Sequence, residues 1–206
     1  KATQNLQDAQ LFYQTGAFDP DVPVAFNRSI KAYNNNPEVG KPLLKKDHHL
    51  AIDRNMKLLR FDAAGGAAIG AFNWFGVHTT SVGNTHHRIC FDNKGYAAQF
   101  MEEKMQTNTA NDHFVAAFAQ DTGGDVSPNH QYEPAVPVNQ EYQSAKKNGQ
   151  YQFEKASQLF ETAPDAQPLT GDIDYELLYI NMANIAVDSE FVLGRTGLRT
   201  APADVG

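Results

Sequence analysis

Cysteine is almost absent from this sequence: Cys90 is the single one among 206 residues. One thiol excludes an internal disulfide and a thiolate zinc knuckle, so the redox compartment leaves no trace here. Basic residues are also scarce, with 17 Lys+Arg against 24 Asp+Glu, a formal net charge of −7. The densest basic spots, KKDHH and AKKNG, hold two lysines each. Without a basic stripe to neutralise phosphates, sequence-independent nucleic-acid binding is disfavoured. No apolar run approaches the ~18 residues that a membrane-spanning helix needs, and the opening KATQNLQDAQ has no apolar signal core. HExxH, the GxSxG elbow and a phosphate loop between strand and helix are all missing. GGAAIG lies within a hairpin pattern instead.

What is present suffices for a real core, at 41% hydrophobic and 11% aromatic residues. Ala2, Leu6, Ala9 and Tyr13 recur at three- and four-residue steps before Gly16, which predicts an amphipathic helix over 2–15. Residues 17–54 are rich in proline and asparagine and read as a long irregular segment crossing a surface. NMKLLRFD (55–62) and AAIGAFNWFGV (67–77) are strand-like and flank Ala63-Ala64-Gly65-Gly66, the pattern of a β-hairpin. The second run is apolar on both faces, which places it mid-sheet with cover on both sides. DNKGYAAQFMEEKMQ predicts a helix capped at Asp92 or Asn93. HFVAAFAQ (113–120) predicts a short strand that ends in the turn DTGGDVSPN. A second helix is expected over 139–162 with an interruption at Gly149, and 171–187 alternates as an extended strand or hairpin. The lone Trp74 reads as core. Alternating strands and helices give an α/β fold class, a layered α/β sandwich with a mixed sheet. The chain opens inside a helical pattern and closes on TAPADVG without a terminal element, which reads as a piece of a longer polypeptide.

Ligand sites in open α/β sheets gather at strand ends, and two predicted strands end at unusual polar turns. His78 follows FNWFGV directly; imidazole on rigid backbone is a common metal ligand, and a hydrogen-bonded structural histidine is the bland alternative. His86 and His87 are adjacent and would point to opposite faces of a strand, so at most one joins His78, and HHR reads equally as an exposed turn. His48 and His49, in KKDHHL, read as solvated surface. His113 and His130 have no zinc-motif spacing. Ser127, in GGDVSPN, sits where a tight turn can push its Oγ into a pocket beside backbone N–H groups; the same letters describe an ordinary β-turn. Arg28, in FNRS, suits a bidentate contact to a carbonyl, carboxylate or phosphate, or a surface ion pair.

FNRS, FNWFGVHTTS, DNKGYAAQF and FVAAFAQDTGGDVSPN, in that order, closely resemble the neutral ceramidases, the neutral/alkaline non-lysosomal family. The resemblance runs from about Asn5 to the end, so residues 1–206 would be a central portion of the catalytic domain. It implies a zinc-dependent amidase, a hydrolase of sphingolipid metabolism that cleaves ceramide to sphingosine and a fatty acid. By the same resemblance Ser127 is the nucleophile, His78 a zinc ligand and Arg28 a substrate-pocket residue. Zn is the implied cofactor and ceramide the partner. Peripheral membrane contact, a secreted or periplasmic location and the remaining segments of the same enzyme are implied with them. The family's other zinc ligands, an earlier histidine in a THTHSGP-like run and a later Glu and Tyr, are not in this sequence. His86, Arg88 and Phe91 depart from the family pattern beside the pocket. A non-catalytic lipid- or partner-binding module that kept the fold is the alternative.

Overall fold

The computed structural model describes residues 6–84, 87–109, 113–129 and 138–202. A four-stranded sheet is built from β1 (Ala9–Ala17), β3 (Asn55–Ala63), β4 (Ala68–Phe75) and β5 (Val115–Gln120), in the order β1-β3-β4-β5. β1, β3 and β4 run antiparallel, and β5 pairs parallel to β4 from Gly70↔Val115 to Phe75↔Gln120. A parallel partner needs a crossover. Helix α2 (Asp92–Thr109) supplies it, the one-turn α1 (Ile30–Tyr33) lying earlier, in the segment before β3. A two-residue ribbon pairs β2 (Phe26–Asn27) antiparallel to β6 (Val126–Ser127). Helix α3 (Val138–Thr162) packs on α2, β3 and β1. The mixed sheet with its helices is the α/β layer that the alternation predicted.

Period-2 burial explains the layer. Met56 and Leu58 on β3, and Ala71, Asn73 and Phe75 on β4, point to the helices and are buried. They meet Met101 and Met105 of α2 and Ala156, Leu159 and Phe160 of α3. Arg60 closes the distal end of this core: its guanidinium lies over the Phe160 ring, donates to the Phe160 carbonyl and pairs with Asp62 at 2.7 Å. The hairpin, α2, β5 and α3 lie where the sequence pattern put them.

Four expectations change. Residues 9–17 form a strand, not a helix: the helical spacing rested partly on Ala2, outside the described residues, and pairing with β3 from Ala9↔Ala63 to Ala17↔Asn55 decides the backbone. β4 is central, but the described helices cover only one of its faces. On the other face Phe72 and Trp74 lie 4.4 Å apart, centroid to centroid, and stay half-exposed. Residues 171–187 alternate but carry no strand, only an isolated bridge between Ala186 and Arg199, and Tyr175 and Tyr179 are exposed. Alternation forms a strand only beside a partner, and none of the described strands lies alongside. Finally, α3 runs unbroken through Gly149.

Gly149 is there for proximity. A Cβ at this position would stand 2.6 Å from Tyr96 Cβ and 2.7 Å from the Asn93 carbonyl oxygen. The missing side chain sets the closest approach of α3 to α2. Gly149→Ala gains about 1 kcal/mol of helix propensity, but overpacking costs about 1–3 kcal/mol. Chemical denaturation is expected to show net destabilisation, and a more stable variant would show that the two helices are not closely apposed.

Candidate functional site

The carboxyl ends of the parallel pair β4 and β5 open onto a cleft of about 510 Å³ lined by His78, Thr79, Lys94, Phe118, Gln120, Gly123 and Gly124. Both loops that leave these strands are pinned close together. A Cβ on Gly76 would lie 2.3 Å from the Thr122 carbonyl oxygen, so only glycine lets the loop after β4 pass there.

His78 is fixed twice by one atom. Its backbone N–H donates to the Val126 carbonyl at 3.2 Å, and its ring Nδ1 lies 2.9 Å from the same oxygen. A carbonyl can only accept, so Nδ1 carries the proton. In the neutral ring Nε2 is then a bare lone pair, the form in which imidazole ligates metals. This observation tests whether His78 fits a metal, and it does, as one ligand. Among the described residues no group of three or more His, Cys, Asp or Glu is gathered to hold an ion; a zinc site needs further donors.

Ser127 follows Val126. Its Oγ accepts from the Asn129 N–H at 3.2 Å, and Asn129 Nδ2 donates to the Thr80 carbonyl at 2.8 Å. GDVSPN is therefore a turn in which the serine terminates β6 half-exposed. The β2–β6 ribbon brings the FNRS segment against it, with Phe26 opposite Ser127. Arg28 leaves β2 with its backbone N–H on the Asp125 carbonyl and Nη2 on the Gly124 carbonyl, both at 3.0 Å. Asn27 Nδ2 donates to Asp125 Oδ2 at 2.7 Å. His78, Ser127 and Arg28 thus converge on residues 124–127. Ser127 and Arg28 do not line the cleft itself; they join it through Gly124 and Val126.

His48 and His87 are not among the residues that line the cleft. His48 is half-buried against Phe26 (centroids 4.5 Å apart), not solvated; burial, then the charges of His49 and Lys45, push its pKa down. His87 is exposed with φ 51°. His86 and His130 lie outside the described residues.

The hydroxyl-rich loop after His78 answers to the start of α2. Asp92 (φ 50°) accepts from the Ser81, Val82 and Asn93 backbone N–H groups at 3.1, 2.8 and 2.7 Å. Asn93 Nδ2 donates to the His78 carbonyl at 3.0 Å and to Ser81 Oγ at 3.2 Å. Gln152 on α3 donates to Asn93 Oδ1 at 3.0 Å and to Asn148 Oδ1 at 2.8 Å, and Asn148 donates to the Val24 carbonyl. The second helix layer therefore holds the histidine-bearing loop through a buried chain of amides, which sequence reading missed because Asn and Gln carry no motif of their own.

Lys94 was also missed. It lies in the first turn of α2, where a cation opposes the helix dipole. That misplacement is the signal that could have singled it out. Its side chain is buried, Nζ donates to the Phe75 carbonyl at 2.7 Å and lies 5.6 Å from the Phe75 ring centroid. Burial pushes its pKa down to about 7, against the opposing attraction of Asp121. Asp121 itself is bound to Lys57 at 2.6 Å, and this hydrogen bond holds its carboxyl below the usual range.

Polar side chains at the carboxyl ends of parallel strands mark an α/β protein with a ligand or active site there. The chain belongs to the neutral/alkaline non-lysosomal ceramidase family, whose N-terminal region profile matches residues 1–206. It is 33% identical to the neutral ceramidase of Pseudomonas aeruginosa over 95% of this chain and 27% of that protein. With neutral ceramidase B of Dictyostelium discoideum the identity is 30%, over 100% of this chain and 31% of the relative. The crystal structure of the Pseudomonas aeruginosa neutral ceramidase superposes with a TM-score of 0.73 at 31% identity, covering 94% of this chain and 29% of that one. A structure of ceramidase complexed with C2 gives 0.75 at 32% identity, covering 97% and 29%. The chain thus spans less than a third of the length of each of these proteins.

Two outcomes are expected. Asn93→Ala strands the His78 carbonyl and Gln152 Nε2 in a buried site and should cost about 2–4 kcal/mol in urea unfolding; a loss below about 0.5 kcal/mol would show that the amide chain does not hold the loop. Between pH 7 and 10.5 the unfolded chain keeps the Lys94 proton that the folded one has released. Stability therefore rises with pH across that window, by up to about 1.4 kcal/mol per unit from this group. Lys94→Met should flatten the rise, and an unchanged profile would contradict it.

Proposed function

We propose that the polypeptide carrying this chain is a zinc-dependent amidase that hydrolyses the N-acyl bond of ceramide to sphingosine and a fatty acid. The observation that carries the reading is the convergence of His78, Ser127 and Arg28 on residues 124–127 through the Val126 carbonyl, the β2–β6 ribbon and the Gly124 carbonyl. Three residues singled out from motifs far apart in sequence meet at one turn, in a family named for ceramide cleavage.

Each residue has a role that its geometry supports. His78 offers Nε2 to a zinc ion, with the other ligands, a histidine, a glutamate and a tyrosine, coming from parts of the polypeptide outside this chain. Bound zinc supplies Lewis acidity toward the amide carbonyl. Ser127 Oγ, with one lone pair taken by the Asn129 N–H, attacks the carbonyl carbon. Its proton leaves on the sphingosine amine, and water then cleaves the acyl ester to restore the serine and free the fatty acid. Arg28 is exposed and anchored through Nη2 to Gly124, so its guanidinium donates to hydroxyl or carbonyl oxygens of the bound substrate. Among the described residues no helix is long and apolar enough to cross a membrane. The family resemblance, and not that absence, is the basis for proposing a secreted or periplasmic enzyme that meets lipid peripherally.

The test is hydrolysis of a fluorescent short-chain ceramide by the whole polypeptide, with metal content measured in parallel. Ser127→Ala is expected to lower kcat by at least about 10³-fold with zinc retained, whereas His78→Ala should lose both metal and turnover. Wild-type protein with neither zinc nor turnover would overturn the amidase reading in favour of a binding module.

A further inference from the structure

Lys94 has no part in the reaction outlined above, yet below pH 7 it is a buried cation that lines the cleft. The residue is 8% exposed and lines the cavity with His78, Thr79, Phe118 and Gln120. An ammonium has three donors. Nζ uses one on the Phe75 carbonyl at 2.7 Å, and among the described residues no carboxylate lies within ion-pair distance of it. Asp121 is the acid that feels Lys94 electrostatically, but its Oδ2 is occupied by Lys57 at 2.6 Å.

A cation taken out of water without a counter-ion is costly, and a sequence that needed only a cap on the Phe75 carbonyl would be served by a neutral donor. We propose that Lys94 binds the carboxylate of a fatty acid whose acyl chain extends along Phe118 in this cleft. Three features select that ligand class. A single ammonium neutralises one negative charge, which suits a carboxylate better than a doubly charged phosphate monoester. About 510 Å³ is far more than a carboxylate group fills, so the cavity has room for a tail. Gly123, Gly124 and Phe118 give that tail an uncharged wall, with His78, Thr79 and Gln120 completing the lining; the zinc proposed on His78 is the one competing charge, and chelation removes it. The proposal rests on the amidase reading only for the origin of the acid: the fatty acid that such a reaction releases would be retained beside His78, making Lys94 a determinant of product affinity.

The experiment uses the whole polypeptide at pH 6, where octanoate is charged and Lys94 keeps its proton, with zinc and after chelation, and titrates octanoate and the neutral octanamide calorimetrically. Wild-type protein is expected to bind octanoate more tightly than octanamide, also after chelation. Lys94→Met should weaken octanoate about ten- to a hundred-fold, the range for one charge-assisted hydrogen bond, and leave octanamide unchanged. Octanoate affinity that is equal in wild type and Lys94→Met, or that vanishes entirely on chelation, would overturn the proposal and assign the carboxylate to the metal. Should Lys94→Met fail to fold, wild-type crystals soaked with 8-bromooctanoate decide: a carboxylate on Lys94 Nζ supports the site, and one elsewhere overturns it. Ceramide turnover measured alongside separates the two readings. Lys94-dependent octanoate binding without turnover removes the amidase and keeps the site; turnover without such binding removes the site alone.

Discussion

The carbonyl oxygen of Val126 receives both the backbone N–H and the ring Nδ1 of His78, across 48 positions of sequence. A carbonyl has two lone pairs, and here both serve one residue. The first contact locks the end of the β4 loop to β6, and the second chooses the imidazole tautomer. Because β6 is also paired to β2, the same anchor fixes the distance from His78 to Ser127 and to the Arg28 segment. Gly76 makes the anchor reachable, since any side chain there would collide with the Thr122 carbonyl. Displacing Val126 would therefore disturb the tautomer, the serine turn and the arginine together.

Around this anchor the protein accepts an expensive arrangement. Asp92, Asn93, Lys94, Asn148 and Gln152 are all buried, in a region where apolar side chains would pack at less desolvation cost. Their hydrogen bonds run from the Val24 carbonyl to the His78 carbonyl, so α3 and the first irregular segment are tied to the loop that bears the histidine. Such networks specify one arrangement in proportion as they are satisfied; here the amide donors find acceptors, while Gln152 Oε1 is buried without a partner among the described residues. Rigid placement of a functional side chain is what this one provides, at a point where the strand layer alone would leave an exposed loop.

Much of the layer was legible in the sequence because its elements carry local signals. The β3–β4 hairpin shows a glycine-rich turn between strand-like runs, α3 carries a clear helical period, and α2 and β5 were legible from the cap at Asp92 or Asn93 and from an apolar run that ends at a turn. β1 was misread because its inward positions after Phe12 are Gln14 and Gly16, so burial alternates along the strand while the letters show no apolar alternation. The two-residue strands β2 and β6 have no period at all, though they join Arg28 to Ser127. The three candidate residues became legible through contiguous motifs shared with the family, and their meeting point only through hydrogen bonds between distant segments. Lys94 and the amide chain belong to neither class: their roles arise from burial, which a letter sequence does not display.

The central claim is that the Val126 carbonyl, by holding His78 Nδ1, leaves Nε2 to ligate a metal. Anomalous scattering at the zinc edge, from crystals of the whole polypeptide grown with zinc, tests it most directly. The account predicts a peak about 2.0–2.1 Å from His78 Nε2, with Nδ1 still on the Val126 oxygen. A zinc peak bound to His78 Nδ1, or a zinc site that leaves His78 out, would contradict it.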